Sequence, residues 1–157
     1  MDGSNDTATT TGVVVVGVDG SEASKDALRW ALRYARLTGA TVRAVAAWQY
    51  PYSFAWPVAT DIDLEGETRR TLKETIEEVA ASYPDVTVDS VVAKGAPAYV
   101  LTTAAKHADL LVVGSRGHGA FAGMLLGSVS QHCVHHAACS VVVVRPNKPE
   151  DRKEGPA

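Results

Sequence analysis

GVVVVGVDGS, residues 12–21, holds five valines among its glycines and no charged residue before Asp19. A strand with one face in water alternates polar and apolar residues, so the unbroken run 12–18 predicts a strand buried on both faces, at the centre of a sheet. Working outward, Ala23, Ala27, Trp30, Ala31, Tyr34 and Ala35 recur with helical period from about Glu22 to Leu37. Ser21 is placed to cap that helix and Gly39 to end it. TVRAVAAW (41–48) is a second strand, followed by a loop rich in aromatics and proline, YPYSFAWPVATD (50–61). A helix from about Leu64 to Ser82 carries the stripe Leu64, Thr68, Leu72, Ile76, Val79 and Tyr83, and Pro84 stops it. VTVDSVVA (86–93) alternates as an edge strand does. Pro97 then opens a helix to about His107. DLLVVG (109–114) is again apolar throughout, a glycine-rich stretch leads at 128 into a helix ending near Ala138, and SVVVVR (140–145) closes the body.

Strands alternating with helices require a parallel sheet covered on both sides, joined by right-handed crossovers. The expected architecture is therefore α/β, an open, doubly wound sheet of five strands, with no internal repeat. The chain of 157 residues fits one domain over 12–146, and the polar segments 1–11 and 147–157 are expected to be disordered tails. Apolar residues make up 46% and the formal charge is −3, a globular composition that disfavours nucleic acid as partner. The N-terminal segment has no basic patch followed by an apolar run, and no apolar segment approaches membrane-spanning length, so neither export nor a membrane span is expected. Cys133 and Cys139 are too few for a disulfide framework and are expected as thiols in a cytoplasmic setting.

Ligands of such folds sit beyond the carboxyl ends of the strands, where strand order reverses. Two ends stand out: Gly17 to Ser21 after the first strand, with Asp19 between the glycines, and Gly114-Ser115-Arg116-Gly117 after the fourth, followed by Gly127-Ser128 at a helix start. Glycines let backbone approach a phosphate, and a helix N-terminus offers donors and a positive dipole end. The same glycines serve equally as strand ends and loop residues, and Arg116 serves equally as a phosphate partner or a solvated loop arginine. No G-x4-G-K-[ST] occurs and no carboxylate beside the glycines is an obvious water-orienting base, so rapid hydrolysis is not expected. His118 is read as a surface histidine rather than a catalyst. His132, His136 and Cys139 have metal-like helical spacing, but Val129, Cys133 and Ala137 form an apolar stripe and histidines suit a helix C-terminus, so no metal is expected. Trp48, Tyr50, Tyr52, Phe54 and Trp56 cover a ligand ring, form a partner surface or pack over the strand ends.

The spacing G-x2-G-x9-G-[ST], met by Gly114, Gly117, Gly127 and Ser128, resembles the nucleotide-binding signature of the universal stress protein family. VVGVDGSEAS (15–24), ADLLVVGSRG (108–117), LLGSVSQ (125–131) and HAACSVVVVRP (136–146) extend the resemblance over 12–146, to the single-domain form of that family. The resemblance implies a Rossmann-like, adenine-nucleotide-hydrolase-like sheet of order 3-2-1-4-5, with ATP across the ends of strands one and four. It implies that Asp19, just beyond Gly17, meets ribose or a phosphate-bound magnesium and that residues near Val45 line the adenine pocket. Gly114, Ser115, Arg116 and Gly117 would border ribose and phosphates, and Gly127, Ser128 and Val129 would bind the phosphates. It further implies a homodimer paired through 140–145 and a non-enzymatic regulatory module of the stress response whose nucleotide occupancy changes its meeting with a protein partner. The rival readings are a dimeric scaffold of the same fold without nucleotide, and a slow phosphohydrolase or nucleotide transferase.

Overall fold

The computed structural model describes residues 11–51, 62–117 and 126–146. The expectations placed on residues 1–10 and 147–157, on Tyr52, Phe54 and Trp56, and on His118 lie outside the described residues.

The elements run β1 (Val13–Gly17), α1 (Glu22–Thr38), β2 (Thr41–Trp48), α2 (Leu64–Ala80), β3 (Val88–Lys94), α3 (Pro97–Ala104), β4 (Leu110–Gly114), α4 (Ser128–His136) and β5 (Ser140–Val144). The five strands form one sheet in the order β3-β2-β1-β4-β5, every neighbouring pair parallel. Val14 stands between Val42 of β2 and Leu110 of β4, which puts β1 at the centre.

Successive residues of β1 point into two different cores. Val14 and Val16 join Leu28, Leu32, Val42, Ala44, Leu72 and Val79 beneath α1 and α2. Val15 joins Val45, Leu111, Val113, Val100, Leu101 and Cys133 beneath α3 and α4. Both sets are needed to cover a sheet with helices on two sides, which is why the sequence of β1 carries no polar alternation. Each fully buried valine or leucine contributes roughly 1.5–3 kcal/mol relative to its exposure.

α1 starts at Ser21, whose hydroxyl accepts from Ser24 N–H at 3.2 Å. It ends at Gly39, which adopts φ 77° and donates its N–H to Ala35. Its buried face is Ser24, Ala27, Leu28, Ala31, Leu32 and Ala35, displaced from the expected stripe by one position on the helix wheel. Trp30 and Tyr34 stack on each other with centroids 5.5 Å apart at the flank instead. The alanines bring the helix close to the sheet, and the space left over suits leucine better than indole.

The other helices end earlier than their patterns suggested. α2 stops at Ala80, where the chain tightens through a Tyr83 N–H bond to the Ala80 carbonyl, because a residue before proline avoids the helical region. α3 stops at Ala104 in tight turns that carry the chain into β4. β3 exposes Asp89, Ser90 and Val91, as an edge strand should.

Candidate functional site

β1 and β4 lie side by side, but their chains leave in opposite directions, β1 into α1 on one face and β4 toward α4 on the other. The divergence opens a cleft of about 550 Å³ at the carboxyl ends of the two strands. Its inner wall is apolar, made by Val45, Ala47, Val113, Pro97 and Leu101. Its rim is polar, made by Asp19, Ser21 and Ser24 on the β1 side and by Arg116, Gly117 and Gly127 to Ser130 on the β4 side. That volume and that contrast of walls are those of a small-molecule site.

The β1 side is fixed by a short turn. Gly20 adopts φ 82°, a conformation that side chains resist, and this brings the chain round so that Asp19 Oδ1 accepts the Ser21 N–H at 2.9 Å. The same oxygen accepts the Ser21 hydroxyl, and Ser24 Oγ donates to the Ser21 carbonyl at 2.9 Å. Asp19 therefore stands as a positioned carboxylate beside the N-terminus of α1, where the helix dipole favours negative charge. The first turn of α1 is closed by its own serines.

The β4 side differs. α4 begins at Gly127, in extended conformation with φ −75° and ψ 168°, and no side chain caps the helix there. Its first amides thus lie at the cleft rim beside Arg116, while Ser128 is exposed. Together these give one wall positive character.

The glycines of the motif meet unlike surroundings. A Cβ on Gly114 would lie 2.9 Å from the Ala23 carbonyl oxygen and 3.0 Å from its carbon, so this glycine is demanded by packing of β4 on the first turn of α1. A Cβ on Gly117 would lie 2.8 Å from Asp19 Oδ2, so its absence lets the carboxylate keep its place. A Cβ on Gly127 would meet nothing closer than 3.5 Å. One on Gly17 would press on the flexible end of Leu101.

Of the residues singled out in the sequence, Gly17, Asp19, Val45, Gly114, Arg116, Gly117, Gly127, Ser128 and Val129 line this one cleft. Ser115 lies behind it, 1% exposed, with its N–H donated to the Val144 carbonyl and its own carbonyl accepting the Gly127 N–H at 2.6 Å. Sequence reasoning missed Ser24 and Ser130 on the rim and Pro97 and Leu101 on the wall. The serines left a trace in their spacing, each three residues after the N-cap position of its helix; the wall residues left none, since only the topology brings α3 under β1.

Cys133 is fully buried and its thiol is pushed up to about 11 by burial; burial also raises that of Cys139. Both cysteines are free. The rings of His132 and His136 lie 4.4 Å apart, and among the described residues no group of three or more His, Cys, Asp or Glu gathers in a way that could hold a metal ion. No helix among them is long and apolar enough to cross a membrane.

The fold and the cleft define a doubly wound α/β unit with an open cleft at the switch between β1 and β4. The family model of the universal stress proteins matches residues 11–145, and the chain belongs to that family. A universal stress protein of Mycolicibacterium smegmatis is 40% identical over 134 residues, covering 85% of this chain and 45% of the relative. The chain spans less than half the length of the curated relatives it matches. Among solved structures, the universal stress protein UspA from Lactobacillus plantarum superposes with a TM-score of 0.72 at 23% identity, covering 85% of this chain and 97% of that one. A universal stress protein solved in complex with cAMP gives 0.66 at 29% identity, over 85% and 96%.

Proposed function

We propose that this chain is a nucleotide-dependent regulatory module that binds ATP in the β1–β4 cleft and does not turn it over rapidly. The observation that carries the reading is the start of α4: a helix whose N-cap has no side chain opens onto the cleft beside Arg116, and such an end offers amide donors and a favourable dipole to phosphate. The apolar wall around Val45 suits an adenine ring. Asp19 suits a ribose hydroxyl or a magnesium ion carried by the phosphates. Arg116, with its planar fork of donors, suits a phosphate. The relative solved with cAMP supports an adenine nucleotide as the ligand class. Among the described lining residues Arg116 is the one cation and Asp19 the one carboxylate, a set suited to holding a triphosphate rather than to activating water against it.

The module acts as a homodimer in the cytoplasm, in keeping with its two free thiols, and hands the state of the cleft to a protein partner. Among the described residues no strand neighbours the outer edge of β5, and proteins ordinarily cover or pair such an edge. Pairing of residues 140–145 with the same strand of a second copy would cover it.

Calorimetric titration with ATP, with and without magnesium, tests the reading. One ATP per chain is expected, with binding lost in Asp19→Ala and Gly117→Ala while circular dichroism and sedimentation stay as in the parent. Affinity retained in both variants removes the site, and a parent protein that takes up no ATP favours the nucleotide-free scaffold.

A further inference from the structure

We infer that Ser130 is the positioning residue of the cleft, its hydroxyl fastening the first turn of α4 to the end of β4 and so setting where the amide donors of the helix stand. The inference rests on the reading of the cleft as an ATP site and names what holds that site in shape.

Ser130 is 2% exposed, and its Oγ lies 2.9 Å from the carbonyl of Gly127 and 3.0 Å from that of Ser115. A hydroxyl has one proton to give, so this is a shared bond between the residue that starts the helix and the residue that follows the strand. The Ser115 carbonyl is a fixed post, because its own residue is tied by its N–H to Val144 of β5 at 2.9 Å. The same carbonyl accepts the Gly127 N–H at 2.6 Å. Two bonds thus cinch together Ser115 and the 127–130 turn. Gly127 has no side chain with which to orient the helix start. Ser130 supplies that orientation from inside the first turn.

Removing the hydroxyl leaves the Ser115 carbonyl still paired with Gly127, so no acceptor is orphaned and the fold persists. The helix start, however, is then held by one bond instead of two, and donors that must meet a phosphate lose affinity when their placement loosens. An adenosine ring and ribose do not use those donors. The expected signature is therefore selective.

ATP affinity, and adenosine affinity by displacement of ATP, are to be measured for the parent, Ser130→Ala and Ser130→Thr, with urea midpoints alongside. In Ser130→Ala the ratio of ATP to adenosine affinity falls about five- to tenfold, the size of one hydrogen bond. Ser130→Thr restores the ratio to within about twofold, since a helical threonine hydroxyl can bond the carbonyl three residues back. A purely structural role would lower the urea midpoint and both affinities together with the ratio unchanged, and that result overturns the inference. A parent that binds no ATP overturns it along with the proposed function; a parent that binds ATP, with an unchanged ratio in Ser130→Ala, overturns it alone.

Discussion

Gly114 and Gly127 share one spacing pattern, yet added methyl groups would meet opposite fates. At 114 the methyl would press on the backbone of Ala23, which cannot step aside without moving α1; at 127 it would make ordinary contacts at an ordinary φ. Gly114→Ala should therefore lower unfolding free energy by about 1–3 kcal/mol, the range for overpacking, and Gly127→Ala by less, about 0.5–1 kcal/mol, since its methyl meets no close contact and only the poorer capping of alanine counts against it. Urea denaturation of both variants checks this, and an equal or reversed order contradicts the packing account. Cys133 makes a second prediction at the same scale. Its folded thiol is pushed up to about 11 from an ordinary 9.0, so above pH 9 the unfolded chain gives up the proton first. The unfolded state then binds fewer protons and stability falls as pH rises from about 9 toward 11, by at most about 1.4 kcal/mol per pH unit. Unfolding curves across that window should show the fall in the parent and a shallower one in Cys133→Ala.

At the scale of the element, α1 is held at its start by one connected set of groups, Asp19, Ser21 and Ser24. Ser21→Ala removes the cap and one partner of the Asp19 carboxylate together; it should cost about 1 kcal/mol in stability and weaken ATP binding, with calorimetry and urea titration as the two readouts. A loss of stability with unchanged affinity would separate the cap from the site. The elements were largely legible beforehand because their signals are local: Ser21, Gly39 and Pro97 stand where the sequence put a cap, a stop and a first turn. The face of α1 was less legible, since alanine at 27, 31 and 35 fits two neighbouring stripes, and only the depth between helix and sheet decides for Leu28 and Leu32 over Trp30 and Tyr34. The cleft followed the same division. Its rim came from two strand ends that glycines mark, whereas Pro97 and Leu101 enter from an element with no motif, and the burial of Ser115 depends on bonds to β5 and to Gly127 that no spacing announces.

For the whole molecule, the sheet separates two cores, and the apolar wall of the cleft draws mainly on one of them, the layer of α3 and α4. A ligand bridging β1, β4 and α4 would tie three elements together at once, so occupancy should be felt in global stability. ATP at a hundredfold excess over its Kd should add about 2.7 kcal/mol and raise the thermal midpoint by roughly 5–10 °C, taking about 2–4 °C per kcal/mol for a chain of this size. Scanning calorimetry reads this, and Gly117→Ala should lose the shift while keeping a transition near that of the unliganded parent. The place of Gly114 against the Ala23 carbonyl reaches further, into descent. In a lineage that gave up its ligand, architecture would go on demanding glycine at 114 while position 117 drifted, so the signature would decay unevenly. A descendant that keeps the first glycine and has lost the second would be the fossil of a binding protein rather than a binder.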